Sequence, residues 1–296
     1  MRKRKYWLLF IPLLLSAGMS LRAESISLRF TYNYGNINGS DINTWINSYN
    51  TIWTDWQALN GGTLEGEFSP LPSFTSYEGE IRFHIFSGLS LNLAASQFSY
   101  RKEGTVNYVN EADNQDETHF IKNNLKVIPI KIGFSFSYPV LPKLYVYINA
   151  GRHIVFVTYK SREEYSAIFN PSGKEFVYWY TYDFDFRSQG LGYYAALGLE
   201  FDVLKFVSLT AEAENIWSKT DGFKGDYTKE FYDSTLDEEG KASLYFYEST
   251  EWGTGNSYSV LTGHKERPEN PDITNIRRGE IDLSGLSLKF GLRFKF

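Results

Sequence analysis

The sequence predicts an all-β fold: a closed antiparallel up-and-down transmembrane β-barrel of 8 strands, with long loops on one rim and one amphipathic helix (about 41–60) in the first of them. Three observations predict it. Apolar and polar residues alternate with period two in eight separate runs. The connections between runs are alternately short and long. The last run, Leu286–Phe296, carries its alternation to the terminal residue, an aromatic.

The chain opens with Arg2, Lys3, Arg4 and Lys5, then the short apolar run Tyr6–Leu15, then Leu21-Arg22-Ala23 with a small final residue. That order is the order of a secretory signal, and the apolar run is about half of the roughly 20 residues a spanning helix needs. We expect residues 1–23 to be a signal peptide and 24–296 the barrel domain. Removing its five cations takes the formal net charge from −5 to −10, which argues against nucleic acid as a partner. There is no cysteine, which excludes disulfides, thiolate metal sites and an N-terminal lipidated cysteine. Aromatics make up 18% of the chain, and Tyr and Phe favour both strands and membrane interfaces.

The eight runs follow in order. Ile26, Leu28, Phe30, Tyr32 and Tyr34 alternate with polar residues; so do Ile81, Phe83 and Ile85, and then Leu89, Leu91, Leu93 and Ala95. Ile128–Tyr138, Leu144–Ala150, Leu191–Phe201, Val207–Ala213 and Leu286–Phe296 complete the set, each close to the roughly 9–11 residues of a tilted membrane strand. Ser87-Gly88, Pro139–Lys143 and Asp202–Phe206 are tight connections. Gly35–Tyr77, Arg101–Asn124, Tyr159–Gly190 and Ser218–Gly279 are long. Strict alternation of this kind puts every long loop on one rim. Within the last two long connections, Ser161–Phe169 with Glu175–Phe186, and Thr228–Tyr232 with Ala242–Glu248, read as hairpins. Their faces carry Arg162, Glu163, Glu164, Lys229 and Glu230, so they are expected to extend strands beyond the membrane, since a charge facing lipid at mid-depth costs a few kcal/mol.

The polar alternates of the strands face inward. They place Arg29, Glu80, Arg82, His84, Lys131, Glu200, Glu212, Lys289 and Arg293 in the lumen. Eight strands leave room for little more than side chains, and buried charges of mixed sign need partners. A paired plug is the expected arrangement, and a narrow pore is the alternative.

Two loop segments stand out. In Asp41–Leu59 the residues Ile42, Trp45, Ile46, Tyr49, Ile52, Trp53, Trp56 and Leu59 recur at spacings of three and four, which is an amphipathic helix. Ser40 or Asp41 is the expected cap, and Gly61-Gly62 the expected end. Trp45, Trp53 and Trp56, with Trp179 from the aromatic segment Phe176–Phe186, form a candidate aromatic surface on the loops. Packing against the protein's own loops is the expected cover, because it needs no partner; the outer leaflet or a partner is the alternative. The tyrosines of Phe176–Phe186 are expected in an interface girdle or in loop packing, with stacking on sugars as the alternative.

No cofactor-binding or metal-binding pattern appears, and acidic clusters such as Asp237-Glu238-Glu239 read as solvated loop. The histidines are His84, His119, His153 and His264, and none stands in a His-x-Ser arrangement, so catalytic residues are not expected.

The terminal strand, with Phe294 and Phe296 at its end, resembles the C-terminal signal of bacterial outer-membrane barrels. The mature chain resembles the small eight-stranded outer-membrane proteins, the OmpA-type and OmpW-type barrels, in strand number, loop alternation and terminal Phe. The resemblance implies an exported protein in the bacterial outer membrane, with periplasmic termini and extracellular loops. It implies outer-membrane lipid and the barrel-assembly machinery as partners, with any surface ligand unspecified. The expected function is non-enzymatic: a structural or surface-interacting protein. A small-solute or hydrophobic-ligand channel or binding pocket with a helical lid, and a lipid A-modifying enzyme, are the alternatives.

Overall fold

A computed structural model describes residues 26–71, 73–86, 88–169, 175–250 and 255–296; the expected signal segment 1–23 lies outside the described residues. The strands are β1 (Ile26–Asn36), β2 (Thr63–Gly66), β3 (Ser73–Phe86), β4 (Leu89–Asn110), β5 (Gln115–Leu141), β6 (Leu144–Phe169) and β7 (Phe176–Leu204). They continue with β8 (Val207–Thr220), β9 (Lys224–Phe231), β10 (Glu238–Ser249), β11 (Tyr258–His264), β12 (Ile273–Arg278), β13 (Ile281–Asp282) and β14 (Gly285–Lys295). One α-helix, α1 (Ser40–Asn60), follows β1.

Eight of the strands close a ring. Antiparallel ladders run β1–β3–β4–β5–β6–β7–β8–β14, and β14 returns to β1 in the register Arg29↔Arg293 and Asn33↔Lys289. Closure leaves the ring without an unpaired edge. Around its outside the apolar alternates are bare: Phe30 is 58% exposed, Ile132 54%, Leu197 59%, Leu209 51% and Phe290 58%. Water does not favour such a belt, whereas hydrocarbon does. Tyr32 packs edge-on to Tyr77 at 5.6 Å at the upper margin of this belt.

The ring is taller on one side. β4, β5, β6 and β7 are 22, 27, 26 and 29 residues long, about twice or more what a membrane crossing needs. Two of the expected loops, Arg101–Asn124 and Tyr159–Gly190, are therefore mostly continued ladder. Pairing runs on to Asn110↔Gln115 and to Phe169↔Phe176. The physical reason is that inward-facing apolar residues continue upward, through Tyr108, Ile121, Leu125, Val157, Tyr159 and Phe186, all buried. A ladder persists where one face has something to bury against. Above Gly192, β7 exchanges its partner β8 for β9, and β9, β10 and β11 carry the sheet onward as a second wall. The main apolar core fills this upper half, not the part of the ring inside the belt, and α1 lies within it.

Candidate functional site

The lower lumen is a two-tier ion-pair network. It holds Arg29, Arg82, Lys131, Lys289 and Arg293 against Glu78, Glu80, Glu200, Glu212 and Glu214, none more than 4% exposed. Cations and carboxylates are equal in number. In the upper tier Lys131 donates to Glu78 at 2.8 Å and to Glu214 at 2.5 Å, and Lys289 donates to the same two carboxylates at 2.8 Å each. The four side chains come from β5, β3, β14 and β8, so the square ties opposite walls together. In the lower tier Arg29 donates to Glu80 at 2.6 Å, to Glu212 at 2.7 Å and to the Tyr147 hydroxyl at 2.8 Å. Arg293 pairs with Glu200, and Arg82 lies 3.1 Å from Glu80. The guanidinium carbons of Arg29, Arg82 and Arg293 stand 5.9, 5.2 and 5.4 Å from the centre of the Tyr147 ring, within cation–π range.

Every lumen residue expected from alternation faces inward, and His84, half-buried, lies 3.0 Å from the Ser90 hydroxyl. Glu78 and Glu214 were missed. The expected strands stopped at Glu80 and Ala213, although Ser76-x-Glu78-x-Glu80 and Glu212-x-Glu214 keep the alternation going.

Above the charges, α1 seals the ring. Its buried face is Ile42, Trp45, Ile46, Tyr49, Ile52 and Trp53. Three of the four residues of the candidate aromatic surface are covered by the protein itself, though by the ladder wall and core rather than by loops. Trp45 and Trp53 are core residues, Trp56 packs partly buried against the same core, and Trp179 alone of the four is exposed. Three- and four-residue spacing put the tryptophans on one face, and the tall β4–β7 wall gives that face something to bury against. Leu59 leaves the stripe and is exposed. The cap is corrected. Gly39 in a left-handed conformation stands at the N-cap without a side-chain bond. Asp41 is instead drawn away into a bidentate pair with Arg277, at 2.5 and 2.6 Å, and accepts from the Glu280 amide at 2.7 Å. Gly61, at φ +75°, ends the helix as expected.

A buried carboxylate joins α1 to the outer wall. Oε1 of Glu163 on β6 accepts from Tyr49 at 3.1 Å and from Tyr180 at 3.0 Å, and stands 3.0 Å from His119 Nε2. His119 Nδ1 accepts from the Trp53 indole at 3.2 Å, so a neutral ring protonated on Nε2 satisfies both contacts. Neither ring nitrogen faces a serine.

Beside Glu163 opens a cleft of about 450 Å³ in the upper half, lined by Tyr49, Tyr165, Tyr178, Tyr180, Tyr182 and Tyr247 with Lys229, Thr262 and His264. Alternation builds it: Tyr178, Tyr180 and Tyr182 share the inner face of β7, with Phe184 and Phe186 below them. Tyr165 and Tyr180 stack at 5.2 Å, and Tyr180 and Tyr182 at 4.6 Å. Burial raises the phenol pKa of Tyr165, Tyr180 and Tyr182, so these stay neutral donors. Burial and then Lys229 lower the His264 imidazole to about 4. Burial also lowers the Lys229 ammonium, which lies 5.0 Å from the Tyr182 ring centre. Nearby, burial raises the carboxyl of Glu117, which accepts from the Tyr165 hydroxyl at 2.5 Å. A second groove, about 360 Å³ on the outer wall, is walled by ion pairs such as Lys160–Asp185 at 2.6 Å. Its charges are already mutually satisfied.

Among solved structures, the chain is similar to the outer membrane protein OprG from Pseudomonas aeruginosa, with TM-score 0.43 and 8% identity over 92% of this chain and 96% of that one. It is also similar to the outer membrane protease OmpT from Escherichia coli, with TM-score 0.29 and 8% identity over 96% of this chain and 100% of that one. No protein-family model matches the sequence, and no curated protein does.

Proposed function

We propose that this is an integral outer-membrane β-barrel, non-enzymatic, with a closed lumen, working as a surface-interaction protein through its tall outer half. The bare apolar belt supports the membrane placement, and the charged and tyrosine-rich upper wall supports facing that half outward. The observation that carries the functional reading is the lumen. Ten paired charges cross it in two tiers, and α1 with its apolar core lies directly above. An ion entering from either end meets a charge network whose cations are already matched by carboxylates, or a hydrocarbon core, and neither replaces its hydration shell. The export signal (1–23) and recognition of the closing strand by the assembly machinery belong to the same reading.

Planar-bilayer conductance of the purified protein tests it. We expect no unitary conductance from the wild type, and none after deletion of residues 41–62, because the lower tiers remain. Stable conductance steps from either would replace the closed lumen with the channel reading.

A further inference from the structure

The tyrosine cleft has the chemistry of a binding site with its ligand-directed groups left over. Glu163 is fully occupied on one oxygen by Tyr49, Tyr180 and His119, so it is a fixed, oriented carboxylate rather than a mobile one. Around it stand groups without internal partners among the described residues. The hydroxyls of Tyr178 and Tyr182 make no hydrogen bond. The Thr262 hydroxyl is buried and unpaired. The Lys229 ammonium touches aromatic rings but no carboxylate in ion-pair contact. An unmade hydrogen bond at a buried hydroxyl such as that of Thr262 is costly, and this hydroxyl, two half-buried phenols and one ammonium within a single cleft are a converging polar set.

The charge balance selects the ligand class. One carboxylate and one ammonium face the cleft, and His264 is neutral near pH 7, so the lining is electroneutral. A cation would meet Lys229, and an anion would meet Glu163. A ligand rich in hydroxyls, able to donate to Glu163 and accept from phenols and ammonium, meets no repulsion. The lining also offers apolar ring edges, which suit the carbon faces of sugar rings. About 450 Å³ falls within the usual range for small-molecule sites. The cleft lies above the closed lumen, so it is reached from the outer side.

We infer that the cleft between β6, β7, β10 and β11 binds an uncharged oligosaccharide segment from the outer medium, with Tyr178, Tyr182, Thr262 and Lys229 as its hydrogen-bonding residues and Glu163 as its fixed acceptor. This rests on the reading of the outer half as the working surface. It does not depend on whether the lumen conducts.

The test is an array of neutral oligosaccharides probed with the full-length protein in detergent. Titration calorimetry of any hit follows, with a uronic-acid trisaccharide and spermidine as charged probes. We expect at least one neutral oligosaccharide to bind, with both charged probes at least about tenfold weaker. Tyr182→Phe and Lys229→Met should each weaken binding by about three- to tenfold, the effect of one lost hydrogen bond. Both variants should keep heat-modifiable gel migration, which reports the folded barrel. Several outcomes would overturn the assignment: no neutral hit across the array, tighter binding of either charged probe, or hits untouched by both substitutions in folded protein. Binding lost with the bilayer still silent would remove the glycan site alone. Conductance with binding intact would remove the closed lumen alone.

Discussion

Lys289 serves three glutamates at once, Glu78 and Glu214 at 2.8 Å and Glu212 at 3.4 Å, and its removal shows what a lumen tie contributes. With Lys289→Met, Glu214 keeps only Lys131, Glu78 keeps Lys131 and a longer contact with Arg29 at 3.7 Å, Glu212 keeps Arg29, and one buried carboxylate charge is left uncompensated. Breaking a buried pair from one side costs about 3–5 kcal/mol. We expect a clearly lower urea midpoint in detergent, and partial recovery in Lys289→Met with Glu214→Gln, where the orphaned charge is gone. Equal loss in both variants would mean that packing, not charge balance, dominates there. His264 is a residue-scale switch of the opposite kind. Its folded pKa, about 4, lies below the ordinary 6.5, so the folded state prefers the neutral ring. Stability linked to it is complete above pH 6.5 and drains as pH falls from 6.5 towards 4. Lys229 faces it with like charge, Glu238 opposes that effect, and Tyr245 and Tyr247 pack against the ring. Thermal unfolding followed by tryptophan fluorescence should weaken across that window, and His264→Gln should flatten the slope. An unchanged slope in the variant would assign the acid sensitivity elsewhere, with Glu117 excluded by sign. Its raised carboxyl gains, rather than loses, stability on acidification.

At the scale of elements, period two was enough to find all eight ring strands and the inward face of each, because one side of every strand meets a different solvent from the other. What it could not find was height. Lys122, Lys126, Lys160, Arg162 and Arg187 alternate outward on β5, β6 and β7 just as Ile128 and Ile130 do, but they are polar, so the apolar signal fades where the membrane ends and the ladder does not. The same fading hid Glu78 and Glu214. The helix was legible, and so was packing of its tryptophans on the protein itself; the wall they pack against was not, since a stripe of tryptophans does not say whether loops or a tall ladder cover it. The ladder covers it because β4–β7 rise high enough to surround it. Trp45→Ala should therefore cost about 3–5 kcal/mol, the usual loss for a large aromatic in a core, while Leu59→Ala, at the exposed end of the same helix, should fall within about 0.5 kcal/mol. Denaturant unfolding of the two variants side by side measures this. Similar effects would return α1 to the surface.

For the whole molecule, closure depends on β14. It pairs with β1 along Ser27↔Lys295 to Gly35↔Ser287 and with β8 along Gly285↔Ile216 to Phe294↔Val207. It also brings Lys289 and Arg293 into the network, so the ring and its plug are completed by the same eleven residues. Phe296 lies just past that ladder. Its amide donates to the Ile26 carbonyl at 3.1 Å, but its ring is 73% exposed. A side chain that buries so little adds little to the finished fold, so a strong effect of removing it has to arise before the fold is finished. This separates two roles for the terminal aromatic. If Phe296 is read by the assembly machinery, deleting it should sharply lower the amount of assembled, heat-modifiable barrel in cells, while the same chain refolded from urea into detergent closes with nearly wild-type yield and midpoint. If its contribution is structural, both numbers fall together. Given the exposure of the ring and the intact ladder on both sides of β14, we expect the first pattern. Equal losses in cells and in detergent would overturn the signal reading of Phe294 and Phe296.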